Sequence, residues 1–408
     1  MIRRASVWLH RYSGLVMAAF LLVTGVTGSI LAFNVELERL ISPQLFATPR
    51  PGVPRLDLAS LAERASREVP HGRVRSVTLV DADQVSVNFS PRTDPATGRP
   101  YPLGFTEFFI DPWDGHELGR RIRGDLSQGV INLMPFIYEL HWTLALGDVG
   151  VWVLGVIALI WTLDCLIGLY LTLPLALHGF WRRWKPAWLI KWHAGTTRVN
   201  FDLHRSSGLW LWPLLGIFAW SSVMMNLRPA YELVTRSVFD YRSPGEDFAS
   251  MQGHPNDAPR LDWRAAQRVG ARLMDEQAAR LGFAVKEPLQ LAYVPQLGLY
   301  VFGVRSSRDV FERAPKGGNT DVYFDGDSGR LIRIERPTGE RAGNTVESWL
   351  YALHLSRVFG RFYQVLVCLL GLIVAMMAVT GVTIWLKKRR SRRFSRARRA
   401  LRLPQGAP

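Results

Sequence analysis

Four apolar runs, each long enough to cross a bilayer and each entered through a histidine, constrain this 408-residue chain more than any other feature. A helical span takes about 20 apolar residues. The runs are roughly Gly14–Phe33, Val149–Leu177, Gly208–Leu227 and Val365–Leu386. His10-Arg11-Tyr12-Ser13-Gly14-Leu15 opens the first and His204-Arg205-Ser206-Ser207-Gly208-Leu209 opens the third. A weaker pattern, Leu140-His141 with Gly147 and Leu353-His354 with Gly360, precedes the second and fourth. A histidine at a membrane boundary is costly without a partner, so the arrangement points to metal or haem ligation rather than packing.

The charge distribution orients these runs. The net charge is +16, yet segments 1–14, 178–205 and 387–408 hold 19 of the 50 Lys and Arg and a single acid, Asp202. Basic residues at alternate ends of apolar runs place both termini and the 178–205 loop on the cytoplasmic face of an inner membrane, and the long segments 34–138 and 228–353 outside, in the periplasm. The run Lys387-Lys388-Arg389-Arg390-Ser391-Arg392-Arg393 reads as an anchor on anionic lipid, not as a nucleic-acid site. Arg3-Arg4 before the first run resembles the start of a signal peptide, but the run has full spanning length and no A-x-A-like site follows it, so a retained helix is expected. The two cysteines, Cys165 and Cys368, both fall within membrane runs. No disulfide framework is therefore available outside. The absence of a C-x-x-C-H sequence means that any haem is held non-covalently.

The chain reads as an internal duplication: residues 1–177 run histidine, span, outside segment, histidine, span, and residues 193–388 repeat the plan. Both halves cross twice in the same orientation, which makes a parallel repeat. The expected fold is a membrane-embedded four-helix bundle with two small external α+β domains. Small residues such as Gly25, Thr27, Gly28, Gly155, Gly371 and Gly381 are expected at helix contacts. The divisions are a first span in 1–34, an outside domain in 35–138, a second span in 139–177 and a basic loop in 178–203. A third span in 204–228, a second outside domain in 229–350, a fourth span in 351–388 and a basic tail in 389–408 complete them. Within the first outside segment a helix is expected over Leu56–Val69 and strands over Val74–Val80, Val85–Phe89 and Thr106–Ile110. The second repeats this with a helix over Asp262–Leu281 and strands over Leu289–Val294, Leu299–Val304 and Asp321–Phe324.

Each third strand runs into an Asp/Gly-rich turn. Phe109-Ile110-Asp111-Pro112-Trp113-Asp114-Gly115-His116-Glu117-Leu118 and Val322-Tyr323-Phe324-Asp325-Gly326-Asp327-Ser328-Gly329-Arg330-Leu331 resemble the closing hairpin of PepSY domains. The second departs in having Gly326 where proline is usual. The His-Arg-x-x-Gly-Leu helix starts resemble those of the PepSY-associated transmembrane family. So do Asn200-Phe201-Asp202-Leu203-His204-Arg205, Phe218-Ala219-Trp220-Ser221-Ser222-Val223 and Gly168-Leu169-Tyr170-Leu171-Thr172-Leu173-Pro174. The resemblance spans nearly the whole chain. It implies an iron-regulated inner-membrane protein, of the kind that includes di-haem reductases of ferric siderophores.

The topology sorts the four boundary histidines into two pairs. His10 and His204 fall at the cytoplasmic face, His141 and His354 at the opposite one. One metal cannot serve all four, because about 30 Å of hydrocarbon separates the faces. Two imidazoles facing each other across a bundle suit the axial positions of a haem iron, so two haem b groups are expected. Haem propionates need cations near the surface, and Arg11, Arg205 and Arg357 follow the histidines, with Arg361 on the face of His354. The same arginines also suit plain interfacial anchoring, and a duplicated helix cap would explain the histidine repeat without a metal. For His141 and His354 to face inward, their helices must extend above the bilayer. His193, eleven residues before His204, competes as the inner ligand if that helix extends back to it.

The other histidines, His71, His116, His178 and His254, fall in loops and turns. Asp164 is the one acid within a span, suited to carry protons, to contact a quinol, or to hydrogen-bond a neighbouring helix. Trp161 and Trp220 suit either an electron path or bundle packing. The reading that follows is a transmembrane electron conduit and haem-dependent oxidoreductase. A ferric siderophore or other ferric chelate is its acceptor, as the resemblance implies, near Tyr138, Trp142 and Tyr351. No G-x-G-x-x-G follows a strand, so the donor is a quinol, a separate cytoplasmic reductase or a small reductant. The alternative is a non-enzymatic, membrane-anchored PepSY module that binds or restrains an envelope partner. A transporter fits less well, because broken helices and charged spans are not evident in the sequence.

Overall fold

The computed structural model describes the chain apart from residues 250, 252, 313–318 and 401–408, the last of which belong to the basic tail. In chain order the elements are α1 (Ile2–Leu31), α2 (Asn34–Ile41), α3 (Leu58–Glu68), β1 (Gly72–Asp81), β2 (Gln84–Pro91), β3 (Glu107–Ile110) and β4 (Glu117–Arg121). Next come α4 (Leu133–Thr143), α5 (Asp148–Thr172), α6 (Phe180–Trp184), α7 (Thr196–Trp210), α8 (Trp212–Asn226), α9 (Arg228–Val238), α10 (Pro244–Ala249) and α11 (Trp263–Leu281). The chain finishes with β5 (Val285–Val294), β6 (Leu299–Ser306), β7 (Thr320–Asp325), β8 (Leu331–Glu335), α12 (Ala342–His354) and α13 (Gly360–Ala400). They fall into two compact units: Met1–Ala32, Tyr138–Tyr231 and Gln364–Pro408 form one, Phe33–Ile137 and Glu232–Tyr363 the other.

The first unit is built from membrane helices. α1, α5 and residues Gly360–Arg392 of α13 are each long and apolar enough to span a bilayer. The third run is not one straight helix, however. α7 and α8 meet at a bend of 72° around Leu211. Pro213 sits in the first turn of α8, where its missing N–H costs nothing but where it cannot continue a helix from behind. α8 alone rises about 22 Å, short of the hydrocarbon thickness, so only the bent pair together reaches spanning length. α1 and α13 meet backbone to backbone. Gly25 and Gly371 face each other so closely that a Cβ at Gly25 would stand 2.7 Å from the Gly371 carbonyl oxygen. Ser29 Oγ lies 2.8 Å from the Cys368 carbonyl oxygen at the same crossing. Small residues here serve the role expected of them, allowing helices to approach where apolar burial offers little drive.

The second unit is an antiparallel sheet with helices on one face. The strand order is β4-β3-β2-β1-β5-β6-β7-β8. Each half contributes a helix and four strands, and the halves join edge to edge where β1 pairs with β5, Val77 opposite Leu291. The two segments, expected as separate outside domains, thus share one sheet and one core. That core runs from Leu61, Val77 and Phe108 through Leu291 and Phe302 to Phe324, beneath α3 and α11. Both helices start the same way: the Asp57 carboxylate accepts from Ser60 N–H and the Asp262 carboxylate from Ala265 N–H. The two Asp/Gly turns also match. Gly115 N–H donates to Asp111 and Gly329 N–H to Asp325, with Gly115 at φ 72° and Gly329 at φ 71°. The proline-to-glycine departure at Gly326 leaves that turn geometry unchanged.

Candidate functional site

α1, α5, α7, α8 and α13 enclose a cavity of about 380 Å³ within the helical unit. This lies within the range of sites that hold small ligands and cofactors. Its walls are apolar where Met17, Leu21, Trp161, Leu215, Val374 and Trp385 line it. Into it project the two histidines of the first repeat, His10 from α1 and His204 from α7. Their ring centroids are 6.1 Å apart. Two metal–imidazole bonds of about 2 Å would leave the ring centres about 6 Å apart, so the spacing suits one metal ion held between the two imidazoles.

Each ring is fixed on its Nδ1 side. His10 Nδ1 lies 3.0 Å from the Asp164 carboxylate on α5, and Ser13 Oγ lies 2.8 Å from the same carboxylate. His204 Nδ1 lies 3.0 Å from the Met377 carbonyl oxygen on α13 and 3.2 Å from Thr380 Oγ1. A carbonyl oxygen can only accept, so Nδ1 of His204 carries the proton; the carboxylate imposes the same tautomer on His10. In a neutral imidazole the lone pair then sits on Nε2, the nitrogen that binds metals in such second-sphere arrangements. The rings also lie over glycines. A Cβ at Gly168 would be 3.7 Å from His10 Cε1 and one at Gly381 would be 3.2 Å from His204 Cε1.

Four cations border the cavity: Arg3, Arg11, Arg205 and Lys388. Arg3 is engaged with the Leu171 and Leu173 carbonyl oxygens at the end of α5. Arg205 donates to Asp202 at 2.8 Å and to the Pro186 carbonyl oxygen at 2.7 Å, while its Nε is buried without a hydrogen-bond partner. An orphaned guanidinium N–H beside a histidine-lined cavity suits an acidic group on a bound ligand. The residues present therefore fit a haem, with imidazoles for its iron and arginines for its propionates.

The second pair of histidines is placed differently from expectation. His141 lies on α4 and His354 is the last residue of α12, so neither is on the spanning helix that follows it. Both short helices end in breaks with left-handed backbone: Leu144, Ala145 and Gly147 after His141, Ser356, Phe359 and Gly360 after His354. The spanning helices start only at Asp148 and Gly360, so extension of a straight helix above the bilayer does not occur. Within the helical unit His141 docks against α1. Its Nδ1 lies 3.0 Å from Thr27 Oγ1, whose proton goes to the Val23 carbonyl oxygen at 2.7 Å, and its Cε1 would be 3.0 Å from a Cβ at Gly28. His354 and Arg357 belong to the sheet unit. The break at Ser356 removes Arg357 and Arg361 from the helical face of His354, contrary to the simple helical spacing.

Among the remaining sequence candidates, His193 occupies an exposed turn ahead of α7, which begins at Thr196, and so does not share a helical face with His204. Trp161 lines the cavity, whereas Trp220 packs against Tyr231 with ring centres 5.6 Å apart. Tyr138 and Trp142 pack together at 6.0 Å and Tyr351 packs on Phe311 at 5.8 Å. In the sheet unit Asp111, Asp114 and His116 lie close enough to hold a metal, but Arg50 already occupies the cluster through both carboxylates. Burial works against ionisation of Asp114, yet hydrogen bonds from Arg50 and His116 outweigh it and hold its pKa down to about 2. Arg3, Lys388, Ser13 and Thr380 were not evident as site residues in the sequence, since their roles depend on which helices meet.

The architecture defines a membrane protein of helical spans carrying an antiparallel sheet unit. A family model for the PepSY-associated TM region matches residues 7–388, and the chain belongs to that family. A comparison with curated proteins gives no match.

Proposed function

We propose that this chain is a di-haem electron-transfer protein of the inner membrane that reduces ferric siderophores or other ferric chelates on the periplasmic side. The observation that carries the reading is the His10–His204 pair: two imidazoles from different helices, 6.1 Å apart, both pinned at Nδ1 in a cavity bordered by cations. A haem bound there supplies reversible one-electron chemistry tuned by its axial ligands. His10 and His204 would offer Nε2 to its iron, while Arg11 and Arg205 would hold its propionates. The apolar side chains Met17, Leu21, Trp161, Leu215 and Val374 would pack against its ring faces and limit the access of water.

His141 and His354 would ligate the second haem, with Arg357 as a propionate partner. The parallel duplication supports this assignment, since each half would give one histidine to each haem. The bias of basic residues supports a topology with the termini and the 178–203 loop in the cytoplasm and the sheet unit in the periplasm. Electrons would enter from a quinol or a separate cytoplasmic reductase near the His10 pair and leave near His141 and His354. Reduction of a ferric chelate weakens its hold on the iron, which is the use of such a conduit.

The test is the optical spectrum of the full-length protein purified from haem-replete cells. A low-spin b-type spectrum with two haems per chain is expected, falling to one in His354→Ala. A colourless, folded protein would overturn the reading in favour of a membrane-anchored module that binds an envelope partner.

A further inference from the structure

The two ligands of the His10 site differ in what stands behind them. His204 Nδ1 faces neutral acceptors, the Met377 carbonyl oxygen and the Thr380 hydroxyl. His141, assigned to the second haem, likewise faces a hydroxyl, that of Thr27. His10 instead faces a carboxylate, with both Asp164 oxygens within 3.1 Å of Nδ1. Asp164 is 7% exposed and lies in the middle third of α5, where ionisable groups are costly and need a use. Ser13, one turn along α1 from His10, steadies the same carboxylate.

We propose that Asp164 is a positioning residue that makes His10 a more strongly donating ligand than His204 and lowers the potential of the haem they hold. This rests on the di-haem reading. A carboxylate behind a ligating imidazole fixes its tautomer and raises its basicity. The stronger donor favours ferric over ferrous iron, the form with one more positive charge. The neutral acceptors behind His204 give no such bias. The result is a haem biased toward the ferric state and so toward passing its electron on, set by one buried acid on α5.

The experiment is a potentiometric titration with dithionite and a mediator set, following the optical spectrum of the full-length protein and of Asp164→Asn. Asparagine retains an oxygen to accept from Nδ1–H and removes the charge. The expected result is a ferric-to-ferrous preference lowered about tenfold in one haem, a rise of about 59 mV for a one-electron couple, with the other haem unmoved. The same titration in a His141→Ala background, which would retain only the His10–His204 haem, assigns the shift. If Asp164→Asn does not fold, Ser13→Ala serves instead: freeing the carboxylate to interact more strongly with His10 lowers the potential. Bound haem with an unchanged potential in these variants overturns this inference alone. A preparation without haem overturns the di-haem reading as well.

Discussion

Alanine at each of three glycines tests whether the histidine rings sit where the geometry requires. A Cβ at Gly28 would be 3.0 Å from His141 Cε1, one at Gly381 would be 3.2 Å from His204 Cε1, and one at Gly168 would be 3.7 Å from His10 Cε1. Carbon atoms at favourable contact are about 3.5–4.0 Å apart. The His141 ring must therefore retreat by about 0.5 Å in Gly28→Ala and the His204 ring by about 0.3 Å in Gly381→Ala, while Gly168→Ala asks for nothing. A metal–ligand distance tolerates about 0.2 Å. The expected order of damage is Gly28→Ala, then Gly381→Ala, then Gly168→Ala. Haem content per chain and the low-spin fraction read from the visible spectrum provide the assay. Gly28→Ala should lose much of one haem, Gly381→Ala should weaken the other, and Gly168→Ala should match the unaltered protein. Helix propensity acts the other way, favouring alanine by about 1 kcal/mol at each helical site, so losses of haem would not reflect weaker helices. Equal loss in all three, or loss in Gly168→Ala alone, would refute the reasoning.

Two further outcomes concern the scaffold. In the sheet unit Asp321 Oδ1 is buried without a hydrogen-bond partner; burial, aided by the charges of Glu335 and Asp309, raises its pKa to about 7. The folded chain therefore binds this proton more tightly than the unfolded chain, so stability falls as pH rises from about 4 to 7, at up to about 1.4 kcal/mol per pH unit. Asp321→Asn should flatten that slope and raise the unfolding temperature of the sheet unit at pH 8, as hydrogen exchange against temperature would read; an unaltered slope would exclude Asp321 as its source. At the α1–α13 crossing Gly25→Leu should separate the helices, costing about 3 kcal/mol or more and lowering the detergent melting temperature, because its Cβ would press on the Gly371 carbonyl. An unchanged melting temperature would show that the crossing bears no stability.

The legible parts of the fold were those set by composition over many residues. Apolar length identified α1, α5 and α13, and alternation with Asp/Gly turns located six of the strands to within a few residues. The bend between α7 and α8 had a local signal in Pro213, but that signal is overshadowed by an apolar run that continues unbroken on both sides of it. The breaks after His141 and His354 had weaker ones. Gly147 and Gly360 accept left-handed backbone readily, whereas Leu144, Ala145, Ser356 and Phe359 adopt it only because the surrounding structure holds them there. The joining of β1 to β5 left no trace in either strand. Alternation tells which residues face a core, not which distant strand supplies the neighbour.

The site follows the same division. A repeated histidine with matching flanks could be paired from topology, because the pairing needs only the number and direction of crossings. What holds each histidine could not, since His10 and Asp164 are 154 residues apart and His204 and Met377 are 173 apart. Gly28 and Gly381 show the difference most directly. As small residues in spanning helices they were expected at helix contacts, where Gly25 and Gly371 do lie. Their open side is instead filled by an imidazole. A duplicated helix cap would account for repeated histidines at helix ends, but it would not place a glycine against the rings of His10, His204 and His141 or a carboxylate, backbone carbonyl or hydroxyl behind their Nδ1 atoms. Those features constrain ring orientation, and orientation matters to a nitrogen that must meet a metal far more than to a side chain that only closes a turn.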